Sequence, residues 1–338
     1  TVIKPFGGHR GDAPNDAAVL APIYGETRGI VISCGIVPRY SDIDAYAMAA
    51  ASVDEAVRNA VCVGVNLDHI AGLDNFCWPD PVESTKTPDG RYKLAQLVRA
   101  NRALEEACRA YRLPCISGKD SMKNDAVLEG QKISVPPTLL FSLLGDHPDV
   151  SLAVSSDFKQ PNHIIYLLGE THEELGASIV ACLLRDEGHG GIGGDVPSLD
   201  PHRNMKMYRA LTGAMRRGYV QSAHDCSDGG LSVSLAESCF GGGGGATIEV
   251  ADLRSCCGDL SIEGILFGES LGRILVSVAP EDAQSFEHSM DEVACFHLGT
   301  VTQDDRIIIT DSGTPILNTS MTRLRRAWKA TFDGGGAG

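Results

Sequence analysis

The chain has 338 residues, 43% hydrophobic and 22% charged, with 29 basic against 44 acidic side chains and a formal net charge of −15. The length predicts two domains at roughly 150 residues each. The apolar share supplies two cores and excludes wholesale disorder, and the acidic balance excludes a broad nucleic-acid or anionic-membrane surface.

Small phosphorylated ligands are not excluded, because backbone N–H groups, a few cations and Mg²⁺ hold them without net positive charge. No apolar run approaches the roughly 20 residues of a membrane span. The first residues, TVIKPFGGHRGD, show neither an apolar signal core nor an initiator Met, which reads as a processed product or part of a longer chain. The 11 cysteines form no C-x-x-C pair. Cys34, Cys62, Cys108, Cys115, Cys182 and Cys295 lie in apolar or helical runs, so they are expected as reduced core residues of a cytoplasmic protein.

In chain order, Gly29 to Cys34 is a short apolar run and predicts a buried strand. Asp44 to Val63 is Ala-rich and predicts a helix that Gly64 ends. Lys93 to Arg112 has helical periodicity, Leu113 to Ser117 predicts a strand that breaks at Gly118, and Thr138 to Leu144 predicts another strand. Turn residues between apolar runs place a boundary near 145–160. Beyond it, His163–Leu168, Thr247–Val250, Arg273–Val278 and Arg306–Thr310 predict strands. Glu173–Leu184, Arg203–Arg217 and Leu231–Phe240 predict helices. The glycine tract Gly241–Gly245 is expected as a flexible surface loop and 331–338 as a disordered tail. The sum is an α/β (α+β) chain of two domains, 1–150 and 151–330, with helix-covered sheets whose strand order the sequence leaves open.

Four stretches carry chemistry. Glu55 and Asn59, four apart on the Ala-rich helix, present two oxygen donors suited to a hard cation. On spacing alone, a solvated face shared with Asp54 and Arg58 is the better reading. The stretch 116–125, ISGKDSMKND, reads as a buried strand opening into a turn, with Gly118 allowing close approach of phosphate and Lys119 and Ser121 offering charge and hydroxyl. It is not a Walker loop. In 223–231, Asp225 and Asp228 bracket Ser227 before two glycines and a helix start, a pattern suited to an anion or metal–phosphate site or simply to a capped helix. His224 beside Ser227 invites a nucleophile dyad, but no G-x-S-x-G elbow is present. Finally, Glu269 and Ser270 precede a buried strand.

Taken with PNDAAVL (14–20), the segment 37–64 beginning VPRYSDIDAYAM, and LFGESLGRILVSV (266–278), these motifs occur in one order over about residues 10–310. In that order they resemble the second half of the synthetase region of the phosphoribosylformylglycinamidine synthase family. This family lies within the superfamily of aminoimidazole ribonucleotide synthetase. The resemblance implies an N-terminal sheet domain that pairs into a shared barrel and a C-terminal α/β domain packed on it. It implies a purine-biosynthetic ligase that uses ATP, Mg²⁺ and ammonia from a glutaminase subunit or domain, with a small structural subunit as a further partner. The first half of the synthetase, in cis or trans, is expected to bring the catalytic histidine, since neither it nor a glutaminase is traceable here.

The resemblance further implies that Gly118, Lys119, Ser121 and Asn75 contact nucleotide or the ribonucleotide substrate. Glu55, Asn59 and Asp225 would hold metal at an auxiliary ATP/ADP site that includes Ser227, and Glu269 and Ser270 would occupy the equivalent of a substrate loop. Ser33 departs from the family, which usually places Asp near that strand's end, and so weakens the expected Mg²⁺ site. Alternatives are a stand-alone homodimeric enzyme of the kinase or dehydratase type, or a non-catalytic half with a structural nucleotide. No nucleic-acid or membrane partner is expected.

Overall fold

The computed structural model describes residues 1–188, 194–258 and 260–330, so the tail expected at 331–338 lies outside the described residues. A short ladder of β1 (Phe6–Gly7) and β2 (Ala13–Pro14) leads in. Next come β3 (Ala18–Leu20), β4 (Gly29–Gly35), a 3-10 turn at Pro38–Asp42, α1 (Ala45–Cys62), β5 (Ile70–Cys77) and α2 (Gly90–Tyr111). They are followed by β6 (Cys115–Ser121), the hairpin β7 (Asp125–Leu128) and β8 (Gln131–Ser134), and β9 (Thr138–His147). These form a five-stranded sheet in the order β3-β4-β9-β5-β6, in which only β5 and β6 run parallel.

The second half opens with β10 (Ile164–Leu168), α3 (Ile179–Asp186), α4 (Pro201–Arg216), β11 (Val220–Asp225) and α5 (Gly230–Gly242). Then follow β12 (Gly245–Glu249), α6 (Ala251–Cys256), α7 (Ile262–Phe267), β13 (Ile274–Val278) and α8 (Ala283–Ser289). β14 (Cys295–Thr302), β15 (Arg306–Asp311), β16 (Thr314–Ser320) and α9 (Met321–Lys329) complete it. Its seven-stranded sheet runs β11-β13-β10-β14-β12-β15-β16. No described helix is long and apolar enough to cross a membrane.

Local chemistry explains the elements. Asp44 caps α1 by accepting the Tyr46 N–H at 2.8 Å, and Gly64 follows the last turn with φ +91°. The alanines of α1 let it lie directly on the five-stranded sheet, where a Cβ on Gly35 would sit 2.7 Å from the Ala56 nitrogen. Val53, Ala56, Val57 and Ala60 pack there against Val31, Phe141 and Leu143. The other face of that sheet is open, with Ile32 47% and Leu144 45% exposed. The second sheet is covered on both faces. Ile165 and Leu167 point into a core with Leu231, Leu235, Ile265 and Met321, while Tyr166 and Leu168 point into the core shared with α1 and α4.

The structure corrects several expectations. β6 continues through Gly118 to Ser121 as an edge strand, so Gly118, Lys119 and Ser121 lie on a strand and not a turn. α3 starts at Ile179, with Ser178 as its cap, and not at Glu173: the carboxylates of Glu173 and Glu174 instead bind the backbone N–H groups of Ser261 and Ser198. The glycine tract is no loose loop. It ends α5, turns at Gly243 with φ +78° and enters β12 at Gly245. Cys34 and Cys115 are exposed, whereas Cys62 is buried as expected.

Asp54 and Arg58 do not form a solvated face; they are 0% and 2% exposed. The Arg58 guanidinium pairs with Asp54 and, at 3.3 Å, with Asp225. Asp54 Oδ1 also accepts from Tyr111 Oη at 2.5 Å, Tyr208 Oη at 2.8 Å and Asn204 Nδ2 at 3.1 Å. Asp54→Asn leaves the buried Arg58 short of countercharge and is expected to cost about 3–5 kcal/mol in urea unfolding. Tyr208→Phe removes a single donor and should cost about 1.5–3 kcal/mol. The reverse order would show that the ion pair does not organise this node.

At the other end of the molecule, Glu249 accepts from the backbone N–H groups of Ala251, Ser312 and Gly313 and from Thr310 Oγ1, each at 2.9 Å. Burial pushes this carboxyl up, but the bonds prevail and hold it at about 2, below the usual 4.5. Its stabilisation is therefore present above pH 4.5 and is lost as pH falls from there toward 2. Glu249→Gln should lower the melting temperature at neutral pH and converge with the parent near pH 2. A gap that stays constant with pH would refute this.

Candidate functional site

One group of sequence candidates converges where β11 ends and α5 begins. Asp225 closes β11, buried, with Oδ2 against Arg58 and Oδ1 3.4 Å from Ser227 Oγ. From α1, Glu55 Oε2 accepts the Ile36 N–H at 2.6 Å, and Asn59 Nδ2 donates to the Cys34 carbonyl at 2.9 Å, so both side chains grip the end of β4. Burial, and then the nearby Asp225 charge, push Glu55 up to about 8. Burial and the neighbouring Asp16 push Asp225 up to about 6, against the pull of Arg58.

Asp16 was not singled out in the sequence, although it stands in PNDAAVL. Its oxygen, an Asp225 oxygen and a His224 nitrogen lie within 4.8 Å of one another. The carboxylate that joins Asp225 thus comes from Asp16 and not from position 33. Ser33 faces α1 and donates to the Ala56 carbonyl at 2.6 Å. Asp16 Oδ2 and Asn59 Oδ1 are buried and without a hydrogen-bond partner. Asp16 and Asp225 bring two carboxylates together, and Asp16 and Asn59 each keep an unpartnered buried oxygen; hard oxygen donors of this kind fit Mg²⁺.

His224 is no nucleophile's base. Its Nδ1 meets Asp16 at 2.7 Å and its Nε2 meets Glu237 at 3.0 Å. Burial alone would lower its pKa, but the two carboxylates raise it well above the usual histidine value, and each ring nitrogen faces a carboxylate oxygen. Asp228 does not cap α5 with its side chain; it pairs with Arg39, whose Nε donates to the Ala177 carbonyl at 3.2 Å. Glu269 accepts, on one oxygen, the N–H groups of Gly229 and Ile179, each at 2.9 Å, at the starts of α5 and α3. Ser270 Oγ accepts the His172 N–H at 3.0 Å. Glu269 and Ser270 are thus brought to the same cluster as Ser227, yet they are buried and occupied by these bonds.

The other candidates sit elsewhere. Asn75 on β5 is paired in register with Lys119 on β6, and Lys119 Nζ bonds Ser121 Oγ. Asn75, Lys119 and Ser121 share the open face of the sheet, by the alternation of the pleat. Gly118 points the other way, where a Cβ would lie 2.7 Å from Asp74 Oδ1, so Asp74 accounts for this glycine. β9 and β5 separate β4 from β6. At about 4.8 Å per strand, that sets the two groups roughly 14 Å apart across the sheet.

Comparison with known proteins gives the following. Family models described as "AIR synthase related protein" match residues 14–136 for the N-terminal domain and 160–312 for the C-terminal domain. The chain is 31% identical over 323 residues to the Deinococcus radiodurans phosphoribosylformylglycinamidine synthase subunit PurL, covering 94% of this chain and 41% of that relative. In fold it is similar to Thermotoga maritima PurL complexed with FGAR, with TM-score 0.72, 17% identity, and coverage of 96% of this chain and 49% of that one. A chain of a HypE–HypF complex superposes with TM-score 0.62 and 15% identity, over 90% of this chain and 92% of its own length. The chain therefore spans less than half the length of the curated relative.

Removing the Glu269 acceptor strands two buried N–H groups. Glu269→Ala is expected to cost about 3 kcal/mol in urea unfolding, with Glu269→Gln, which keeps an oxygen, losing much less. Equal losses would show that the acceptor geometry is not what joins the two helix starts.

Proposed function

The chain belongs to the AIR synthase-related family, and we propose that it is the second half of the synthetase region of an ATP-dependent purine-biosynthetic ligase. The reaction converts formylglycinamide ribonucleotide, ATP and ammonia to formylglycinamidine ribonucleotide, ADP and phosphate. The observation that carries this reading is the open sheet face. An exposed edge strand bears Lys119 and Ser121 beside Asn75, on the same sheet face as the uncovered apolar Ile32 and Leu144. This is one wall of a site that a first half, in cis or trans, would complete with the catalytic histidine. A glutaminase subunit or domain would supply ammonia, with a small structural subunit completing the assembly.

In the reaction, the substrate's amide oxygen attacks the γ-phosphorus of ATP and ADP leaves. Ammonia then adds to the activated carbon, and phosphate departs with the former amide oxygen. The work left to the protein is positioning and charge. Lys119 brings its side-chain cation to the phosphoryl oxygens, while Ser121 and Asn75 give and accept hydrogen bonds beside it. Gly118 acts by holding β6 against Asp74. In the second cluster, Asp16, Glu55, Asn59 and Asp225 would hold Mg²⁺, which would offset the phosphate charge of an auxiliary ATP or ADP. Ser227 lies beside that group, and Glu269 and Ser270 keep the loop around it in shape.

The chain alone, given ATP, the ribonucleotide and ammonium, is expected to form no amidine. Adding the separately expressed first half should restore it, and Lys119→Ala in the reconstituted enzyme should lower kcat/KM by about 10²-fold. Turnover by the isolated chain would overturn this division. It would favour a stand-alone homodimeric enzyme of the kinase or dehydratase type.

A further inference from the structure

A second charged pocket lies at the opposite end of α5 from the Asp225 cluster. Arg10, from the N-terminal segment, and Arg325, Arg326 and Lys329, from α9, line a depression of about 290 Å³ together with Gly243, Gly244 and Thr322. The segment before Arg10 is anchored there: the His9 N–H donates to the Gly241 carbonyl at 2.9 Å. Arg325 is held in place, donating to the Phe240 carbonyl at 2.5 Å with its guanidinium 5.4 Å from the centre of the Phe240 ring. In a chain of net charge −15, such a gathering of cations runs against the overall field.

Two acids lie close by, and neither accounts for the whole set. Asp305 is occupied by α9, accepting from Thr322 Oγ1 at 2.9 Å. Asp12 pairs with Lys329 at 2.5 Å and with Arg325 at 3.7 Å. Burial would raise Asp12, but the Lys329 bond and the charges of Arg325, Lys329 and Arg10 bring it below its ordinary value. Arg10 and Arg326 make no ion pair or side-chain hydrogen bond among the described residues, and Arg325 Nη1 is buried with no hydrogen bond, facing Asp12 Oδ2 at 3.7 Å. The pocket thus has surplus positive charge and a guanidinium nitrogen that makes no hydrogen bond, with Gly243 and Gly244 in its lining.

We propose that this pocket binds a small phosphorylated anion. Guanidinium forks match phosphate oxygens in pairs, and surplus charge of about two suits a phosphate dianion better than a carboxylate. A volume of 290 Å³ admits a phosphomonoester or a diphosphate and is too small for a large coenzyme. The pocket is separate from the acidic cluster, since α5 starts at that cluster and ends here, 13 residues later. At 1.5 Å per residue, the helix sets them about 20 Å apart.

The test is calorimetric titration of the full chain, without Mg²⁺ and at low salt, with inorganic pyrophosphate and separately with AMP. Saturable binding is expected for at least one, and the tighter of the two identifies diphosphate or phosphomonoester as the preferred form. Arg10→Ala combined with Arg326→Ala removes two exposed cations that hold nothing else, so the fold should persist by circular dichroism while affinity falls at least about tenfold. Lys119→Ala should leave that binding in place. The proposal is overturned if neither probe binds at millimolar concentration, if the double variant binds as well as the parent, or if Lys119→Ala alone abolishes binding.

Discussion

The buried contact between Arg58 and the carboxylates of Asp54 and Asp225 is the constraint on which the molecule turns. Arg58 and Asp54 are on the helix that covers the first sheet, and Asp225 ends an edge strand of the second. Tyr111 from α2 and Asn204 and Tyr208 from α4 close on Asp54 from two more sides. An arginine out of water tolerates no slack, because each unmet charge or donor carries a desolvation penalty. Satisfying all of them fixes the register between four elements at once. The same register delivers Glu55 and Asn59, on the same helix, to the edge of the Asp225 loop.

Much of this was legible in the chain, and the exceptions have physical causes. α1 was readable from its alanines, its Asp cap and its terminal glycine, each acting locally. β10 was readable because IIYLL is buried on both faces and so needs no polar residues. The sequence predicts a strand only to Ser117 and a turn from Gly118, because Gly, Lys, Asp and Ser favour loops. An edge strand exposed on its open face needs only one hydrogen-bonded neighbour, and the parallel β5 provides it. The glycine tract looked flexible because composition does not report close packing, yet a Cβ on Gly245 would lie 2.8 Å from the Asp304 carbonyl oxygen.

The site was half legible for a related reason. Motifs gave Asp225, Ser227, Glu55 and Asn59, but not the partner carboxylate. Asp16 lies more than 200 residues from Asp225 in sequence, and only the folded topology brings them together. Nor did composition show that Glu269 places an internal negative charge at two helix starts, a position where helical proteins commonly hold external anions. The chain therefore occupies two helix starts with its own carboxylate.

The bare flank of β6 has a consequence for solution behaviour. A strand whose outer N–H and C=O groups lack a neighbour is a template for stray pairing, and an isoleucine, Ile116, stands on it 67% exposed. Lys119, mid-strand, is the kind of residue that blunts such an edge, because stacking a second copy in register would bring two ammonium groups together. The same side chain can therefore act as a gatekeeper against self-assembly while the strand awaits a proper neighbour.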